Sequence, residues 1–194
     1  MTTTRFIAKF LLLLIIALTF SACSTKNENA EDSVLDGKKA IVAYFSTTGR
    51  TEQAARQVAS ITGAELFEIS PVETYSKAAI DYNNPDSRCW VENRDSTLRP
   101  QLQALPCLDS IDIVFVGYPI WWEKAPLPVY TFIETAELEG KTIVPFATSA
   151  TSGITLSVKS LRKLRPDLKW TDGLLMNSVS DRDVMQKIKT TVKH

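Results

Sequence analysis

Histidine is almost absent from this sequence: the only one, His194, stands at the last position. A Ser-His-Asp triad, a Cys-His pair and most zinc sites need a histidine held inside a fold, so we exclude them. An excess of charge of one sign is also lacking, since 22 Lys and Arg residues balance 22 Asp and Glu residues. Such a balance gives no basic footprint for nucleic acid, and we expect no nucleic-acid partner.

No apolar run is long enough to cross a bilayer as a helix. The run from Phe10 to Phe20 is shorter than the roughly 20 residues that a spanning helix needs. It follows Arg5 and Lys9 and precedes Ser21-Ala22-Cys23, which is typical of a signal peptide that ends at a lipidated cysteine. We predict a lipoprotein signal peptide over residues 1–22 and a membrane anchor on Cys23. The protein would then be exported, on the periplasmic or cell-surface side. A plain signal peptide cleaved nearby is the alternative.

The rest of the chain divides into a tether and a domain. Residues 23–37 are mostly polar and predict a flexible tether, whereas residues 38–194 show strand and helix patterns in alternation. Two cysteines, Cys89 and Cys107, lie in this domain. In an oxidising compartment they are either joined in a disulfide or both free.

Five strand patterns occur in the domain, at residues 40–45, 65–69, 111–118, 141–148 and 168–176. Helical patterns follow them at residues 51–62, from Pro126 onward, at residues 154–164 and at residues 184–192. This alternation predicts an α/β fold with a parallel sheet covered by helices on both faces. Pro145 removes a hydrogen bond from the fourth strand and predicts a bulge there. Asp172-Gly173 predicts an interruption of the fifth strand.

The stretch from Pro71 to Cys107 has weak periodicity. It contains Tyr75, Tyr82 and the turn sequence Asn83-Asn84-Pro85. Long irregular segments in compact domains usually carry function or cover a site.

The first strand is followed by Ser46-Thr47-Thr48-Gly49-Arg50-Thr51, where a helix begins. A helix N-terminus offers unpaired N–H groups and a positive dipole end to an anion. Gly49 allows close backbone approach, and four hydroxyls add donors. The loop lacks the Gly-Lys-Ser/Thr of a P-loop and the Gly-x-Gly-x-x-Gly of a dinucleotide fold. It therefore predicts a phosphate cradle, with a Ser/Thr-rich capping turn as the alternative.

Two further loops lie at strand ends. The third strand leads into Pro119-Ile120-Trp121-Trp122, and the fourth ends in Thr148-Ser149-Ala150-Thr151-Ser152-Gly153. Ligands of open α/β sheets bind beyond these carboxyl ends. The aromatic loop suits a flat aromatic ligand, and the donor-rich loop suits its edge. The alternatives are that both tryptophans are buried in the core and that Ser152 caps the helix. Two adjacent tryptophans do not readily face the same way, so we expect at least one of them in the core or at a contact.

These three loops, in this order, resemble those of the flavodoxin-like family. The likeness is greatest to the short bacterial branch that carries Pro-Ile-Trp-Trp, with Ala125-Pro126 downstream and Pro145-Phe146-Ala147 before the third loop. It runs from about Lys38 to the last helix. It implies a three-layer sandwich with a five-stranded sheet in the order 2-1-3-4-5, and FMN as cofactor. By this resemblance, residues 46–51 hold the FMN phosphate, 119–122 flank the isoalloxazine and 148–153 contact its edge.

The sequence departs from that branch at two places. The branch usually has glycine after the second tryptophan, where this chain has Glu123, and two glycines in the third loop, where it has Ala150 and Thr151. Non-glycine residues disfavour positive φ, so we expect both substitutions to restrict the backbone near the ring edge.

The resemblance implies electron transfer or an FMN-dependent oxidoreductase activity, in which the flavin carries the redox chemistry. Without Arg5 and Lys9 the domain is only slightly acidic, which favours a reductase of small acceptors such as quinones over a strongly acidic electron carrier. The sequence leaves the redox partner open and is compatible with a homodimer. The alternative is an exported binding module that has lost or altered its use of flavin.

Overall fold

The computed structural model of the protein describes residues 34–192. The strands are β1 (Ala40–Tyr44), β2 (Glu65–Glu68), β3 (Ile113–Pro119), β4 (Thr142–Thr148), β5 (Lys169–Trp170) and β6 (Leu174–Leu175). The helices are α1 (Arg50–Thr62), α2 (Arg88–Arg94), α3 (Leu127–Thr135), α4 (Thr155–Leu164) and α5 (Asp181–Val192). The sheet is parallel with the order β2-β1-β3-β4-β5, and β6 also pairs with β4. The predicted α/β fold and strand order are confirmed.

Helices cover both faces of the sheet. Successive residues of a strand point to opposite faces, and in the central strands both sets of side chains are apolar and need to be buried. Val114 and Val116 of β3 face one side, where they belong to the same core cluster as apolar residues of α3 and α4. Ile113 and Phe115 face the other side, with residues of α1 and α5. A strand buried on both faces has no polar side to show, which explains its continuous apolar sequence.

Pro145 lies in a regular part of β4, and the predicted bulge is wrong. The register between β3 and β4 runs without interruption from the pair Ile113 and Thr142 to the pair Pro119 and Thr148. The carbonyls of Ile143 and Ala147 accept hydrogen bonds from the strand on the far side, at 3.0 and 2.8 Å. Every second residue of a strand points its backbone N–H and C=O groups toward the same neighbouring strand. Pro145 lies two positions from Ile143 and two from Ala147, so its backbone also faces the side of β5 and β6.

The neighbouring strand accommodates the proline by breaking into β5 and β6. Gly173 passes the break with φ +83°, and a Cβ at this position would lie 3.0 Å from the Pro145 carbonyl oxygen. Arg162 of α4 holds the break, since its Nη2 donates to the Thr171 carbonyl at 2.8 Å and lies 3.0 Å from Asp172 Oδ1. The predicted interruption at Asp172-Gly173 is confirmed. Opposite Pro145 the neighbouring strand is interrupted, so the missing N–H of the proline costs no hydrogen bond between strands.

Residues that precede Lys38 also pack against the core of the domain. Leu35 is only 4% exposed and belongs to the core cluster on the α1 and α5 face, and its carbonyl accepts a hydrogen bond from the Lys38 N–H at 3.1 Å. The predicted signal peptide, Cys23 and most of the predicted tether lie outside the described residues. Within residues 34–192, no helix combines the length and hydrophobicity needed to cross a membrane.

The long connection between β2 and β3 is more ordered than its sequence suggests. Backbone hydrogen bonds from Val72 to Gln101 and from Gln103 to Ser70, both 2.8 Å, close its base. It contains a 3₁₀ turn at Ala78–Ile80 and the helix α2, which the sequence did not predict. Cys89, on α2, is buried and Cys107 is exposed, and both are free. Of the two alternatives for the cysteines, the structure shows the unpaired one.

Candidate functional site

The loop between β1 and α1 turns at Gly49. This residue has φ +83°, and a Cβ placed there would meet no atom of residues 34–192 within 4 Å. The Gly49 N–H donates to Ser46 Oγ at 3.2 Å, and the Gly49 carbonyl accepts from the Gln53 N–H at 2.9 Å. The Ser46 hydroxyl therefore holds the loop in shape, while the space around Gly49 is open.

Several donors of this loop have no partner among residues 34–192. Within the described residues, the N–H groups of Thr48, Arg50 and Thr51 and the hydroxyls of Thr47 and Thr48 make no hydrogen bond. Thr48 and Arg50 are exposed, as is Gly49 between them. Donors left free at a helix N-terminus are the arrangement that binds a phosphate or similar anion.

Thr51 differs from the other hydroxyl residues of the loop. It is 1% exposed, and its Oγ1 lies 2.8 Å from Oγ1 of Thr148, at the end of β4. This hydroxyl pair joins the first predicted loop to the third, and the sequence did not predict it.

The second loop, residues 119–122, leads into a tight turn that spans Trp121 to Lys124. Trp121 and Lys124 exchange two backbone hydrogen bonds of 2.9 Å, and the residues between them, Trp122 and Glu123, have φ +44° and +63°. Two consecutive positive φ values define a type I′ turn, whose second position favours glycine. Glu123 therefore occupies a left-handed position, as we predicted from the glycine usual there.

The third loop does not have the backbone that we predicted from its missing glycines. Ala150 and Thr151 are absent from the positive-φ positions, which among the non-glycine residues of 34–192 are Asp36, Trp122, Glu123 and Ser178. The expected restriction at Ala150 and Thr151 is wrong, because this backbone needs no left-handed residue at either position.

The two tryptophans have different environments. Trp121 is 7% exposed, with its ring 5.8 Å from that of Phe45 and 5.6 Å from that of Tyr75. Trp122 is only partly buried. The expectation that at least one tryptophan lies in the core or at a contact is confirmed by Trp121.

Two aromatic residues missed as site candidates surround Trp122. Its ring centroid lies 4.9 Å from that of Tyr82 and 4.9 Å from that of Trp90, and Tyr82 also reaches Trp121 at 6.4 Å. Trp90 Nε1 donates to the Tyr82 carbonyl at 2.7 Å, which fixes the two relative to each other. Burial raises the pKa of Tyr82 to about 12, so its phenol is neutral at physiological pH.

A network of polar contacts fixes the connection between β2 and β3, which contains Tyr75 and α2. Tyr75 donates through its hydroxyl to the buried Glu92 carboxylate at 2.6 Å. The same carboxylate accepts from Arg88 Nε at 2.6 Å, and the Arg88 guanidinium lies 4.1 Å from the centroid of the Tyr75 ring. Burial, together with the hydrogen bond from Tyr75 to Glu92, raises the pKa of Tyr75. The tyrosine that packs against Trp121 is thereby kept neutral and fixed.

The third loop is fixed mainly through its backbone. The Ser149 N–H donates to Asn177 Oδ1 at 2.9 Å, and the Ser152 N–H donates to Ser149 Oγ at 2.9 Å. No side chain caps α4, whose N-cap residue is Ile154, so capping by Ser152 is wrong as an alternative. Ala150, Thr151 and Gly153 are exposed. Asn177 follows β6, and nothing in the sequence marked it as a support of this loop.

The structure brings all three predicted loops to one edge of the sheet. Pairing of β3 with both β1 and β4 places their carboxyl ends side by side. The first loop with its free donors, the second loop with Trp121 and Trp122, and the third loop of small polar residues therefore adjoin each other. In the part of the chain that is described, no three His, Cys, Asp or Glu side chains are grouped to hold a metal.

Comparison with known proteins agrees with this arrangement. The family profile described as Flavodoxin matches residues 39–192. The chain belongs to the flavodoxin family. No curated protein matches this flavodoxin.

Solved structures similar to this flavodoxin include two from Bacteroides. A candidate flavoprotein from Bacteroides eggerthii DSM 20697 is 41% identical, covering 79% of this chain and 98% of that one, with a TM-score of 0.77. One from Bacteroides uniformis ATCC 8492 is 42% identical, covering 79% and 99%, with a TM-score of 0.75. A flavoprotein from Lactobacillus acidophilus NCFM in complex with FMN shares the fold at 21% identity, covering 77% and 97%, with a TM-score of 0.61.

Proposed function

We propose that this flavodoxin binds FMN at the carboxyl edge of its sheet. The phosphate would be held by free donors of residues 46–51, chiefly the N–H groups of Thr48, Arg50 and Thr51. Trp122 and Tyr82 would meet the isoalloxazine, and residues 148–153 would lie at its edge. The observation that carries the proposal is the left-handed turn at Gly49, which leaves open space and free N–H donors at the start of α1. The aromatic rings of Tyr82 and Trp122 pack together at the same edge of the sheet.

We propose further that the protein is an oxidoreductase or electron carrier. Bound flavin supplies the redox chemistry, and the protein contributes binding, orientation and electrostatics. The slight acidity of the domain favours reduction of a small acceptor, such as a quinone, over docking to a protein carrier. A purified protein that turns over NADH or NADPH with a quinone only when loaded with FMN would support the reductase.

Replacing Thr48 with alanine tests the phosphate cradle. A hydrogen bond to a charged phosphate contributes roughly 1.5–3 kcal/mol, so Thr48→Ala should weaken FMN binding about tenfold or more. Riboflavin carries the same ring without the phosphate, and its dissociation constant should barely change. Quenching of flavin fluorescence on titration measures both constants.

Two variants serve as controls for this experiment. Thr48→Ser keeps the hydroxyl and should retain most of the FMN affinity. Thr190→Ala removes an exposed hydroxyl from the C-terminal part of α5 and should change neither flavin affinity. Equal losses of FMN and riboflavin in Thr48→Ala would show that this loop is not the phosphate cradle.

A binding module that no longer uses flavin is the second candidate function. The feature that favours it is the third loop, where the exposed side chains of Ala150 and Thr151 occupy space that the glycines usual in the branch leave open, although their backbone is not strained. Colour separates the two candidates, since purified protein that retains FMN is yellow. Failure of the full chain to bind either FMN or riboflavin in titration would favour the binding module.

We also propose that the protein is exported and anchored to a membrane through a lipid on Cys23. The apolar run that ends just before this cysteine supports the proposal. Cys23→Ala should release the protein from the membrane fraction or block its maturation, whereas Cys107→Ala, at an exposed cysteine of the domain, should leave it there. Wild-type protein found only in the soluble cytoplasmic fraction would contradict this assignment.

A further inference from the structure

The hydroxyl pair of Thr51 and Thr148 joins residues 97 positions apart in the sequence. Thr51 lies in the first turn of α1 and is 1% exposed. Thr148 is the only hydrogen-bond partner of its hydroxyl among the described residues. The side chain of Thr148 is therefore turned toward the first loop.

Thr148 is fixed by the sheet as well as by this contact. It pairs in register with Pro119 at the end of β4, and its carbonyl accepts a hydrogen bond from the Ile120 N–H at 2.9 Å. Its Oγ1 is thus a rigidly placed partner, whereas the donors of residues 47–50 lie in an exposed loop.

A hydroxyl group has one proton to donate and two lone pairs that accept. In a pair of hydroxyls, the one that accepts keeps its own proton free for a third group. If Thr148 donates to Thr51, the Thr51 proton is free. A phosphate beside the unpaired N–H groups of Arg50 and Thr51 would favour this arrangement, because it accepts hydrogen bonds and donates none when fully ionised.

We infer that Thr148 is a positioning residue that directs the Thr51 hydroxyl toward the flavin phosphate, and so sets the preference for FMN over riboflavin. The inference rests on the proposed FMN site. For Thr148 alone, it replaces the contact with the ring edge that the family resemblance implies and that we proposed above for residues 148–153. A ring contact would affect FMN and riboflavin alike, whereas an effect through Thr51 concerns the phosphate alone.

The test uses the full chain with Thr148→Val, which has nearly the same shape without the hydroxyl, and with Thr148→Ser, which keeps the hydroxyl. Fluorescence titration should show about tenfold weaker FMN binding for Thr148→Val, with riboflavin affinity within about twofold of wild type. Thr148→Ser should restore most of the FMN affinity. Urea unfolding without flavin reports separately on any loss of stability.

A double-mutant cycle shows whether the effect passes through Thr51. In a Thr51→Val background, Thr148→Val should cause no further loss of FMN affinity. Independent, multiplying losses would overturn the inference, as would parallel losses of FMN and riboflavin in Thr148→Val, or no loss of FMN.

The wild-type protein distinguishes failure of this inference from failure of the proposed function. Wild type that prefers FMN to riboflavin, with a Thr148→Val variant that keeps the preference, would overturn only the role of Thr148. Wild type that binds the two flavins equally would overturn the phosphate cradle and this inference with it.

Discussion

Replacing Gly49 with valine is expected to weaken FMN binding about a hundredfold or more, the largest loss of affinity at any single position of the first loop. Gly49 has φ +83°, a conformation that a β-branched residue adopts only at high cost. The loop would have to change its backbone to accept valine. Such a change would move the neighbouring N–H groups of Thr48, Arg50 and Thr51, which we propose hold the phosphate.

The size of this effect follows from the number of donors affected. Each hydrogen bond to a charged phosphate is worth roughly 1.5–3 kcal/mol. Misdirecting two of them therefore costs about 3 kcal/mol or more, which is about two decades in the dissociation constant. The added side chain itself has room, since a Cβ at Gly49 meets nothing within 4 Å in the described part of the chain.

Gly140 provides a matched control for the backbone strain. It also has a left-handed φ, +76°, and a Cβ there would likewise meet nothing within 4 Å, but it precedes β4 at the opposite edge of the sheet from the loops. Gly140→Val should lower the free energy of unfolding and leave the FMN affinity of the folded protein unchanged. Gly49→Asn should be milder than valine, because asparagine tolerates the left-handed region. Gly49→Val protein that binds FMN like wild type would contradict our account of the turn.

The fold could be predicted from the sequence because its strongest signals are local. The buried central strands are continuous apolar runs, and a glycine or a capping pair marks several helix ends. Gly63 ends α1 with its N–H bonded to the Ala59 carbonyl, and Ser180 caps α5 through Asp183. Since the carboxyl ends of parallel strands meet at one edge, the positions of the three loops followed from the same signals.

The contacts that shape the site were not predictable because they join distant parts of the chain. Tyr82 and Trp90 come from the segment between β2 and β3, whose weak periodicity concealed α2. Thr51 meets Thr148 only because β1 and β4 flank the same strand. Pro145 was misjudged for a related reason: its cost is avoided by a break in the neighbouring strand, not by any change in its own.

The second large effect is expected from Trp121→Ala, and it concerns stability. Trp121 is buried against the rings of Phe45 and Tyr75. Replacing such a side chain by alanine removes its buried apolar surface and leaves a cavity, which typically costs about 3–5 kcal/mol. We expect the free energy of unfolding to fall by that amount, as measured by urea denaturation of the protein without flavin.

Trp122→Ala is the matched variant at the next position, with the opposite balance of effects. Trp122 is only partly buried, so its removal should cost much less stability than removal of Trp121. Its ring is the one that we propose meets the flavin, and losing it should weaken FMN and riboflavin equally, by about tenfold. Equal losses are expected because both flavins carry the same ring, in contrast to the selective loss of FMN in the phosphate-loop variants. If Trp122→Ala left both affinities unchanged while destabilising the fold as much as Trp121→Ala, Trp122 would be a second core residue. The isoalloxazine would then have to lie against another part of the sheet edge.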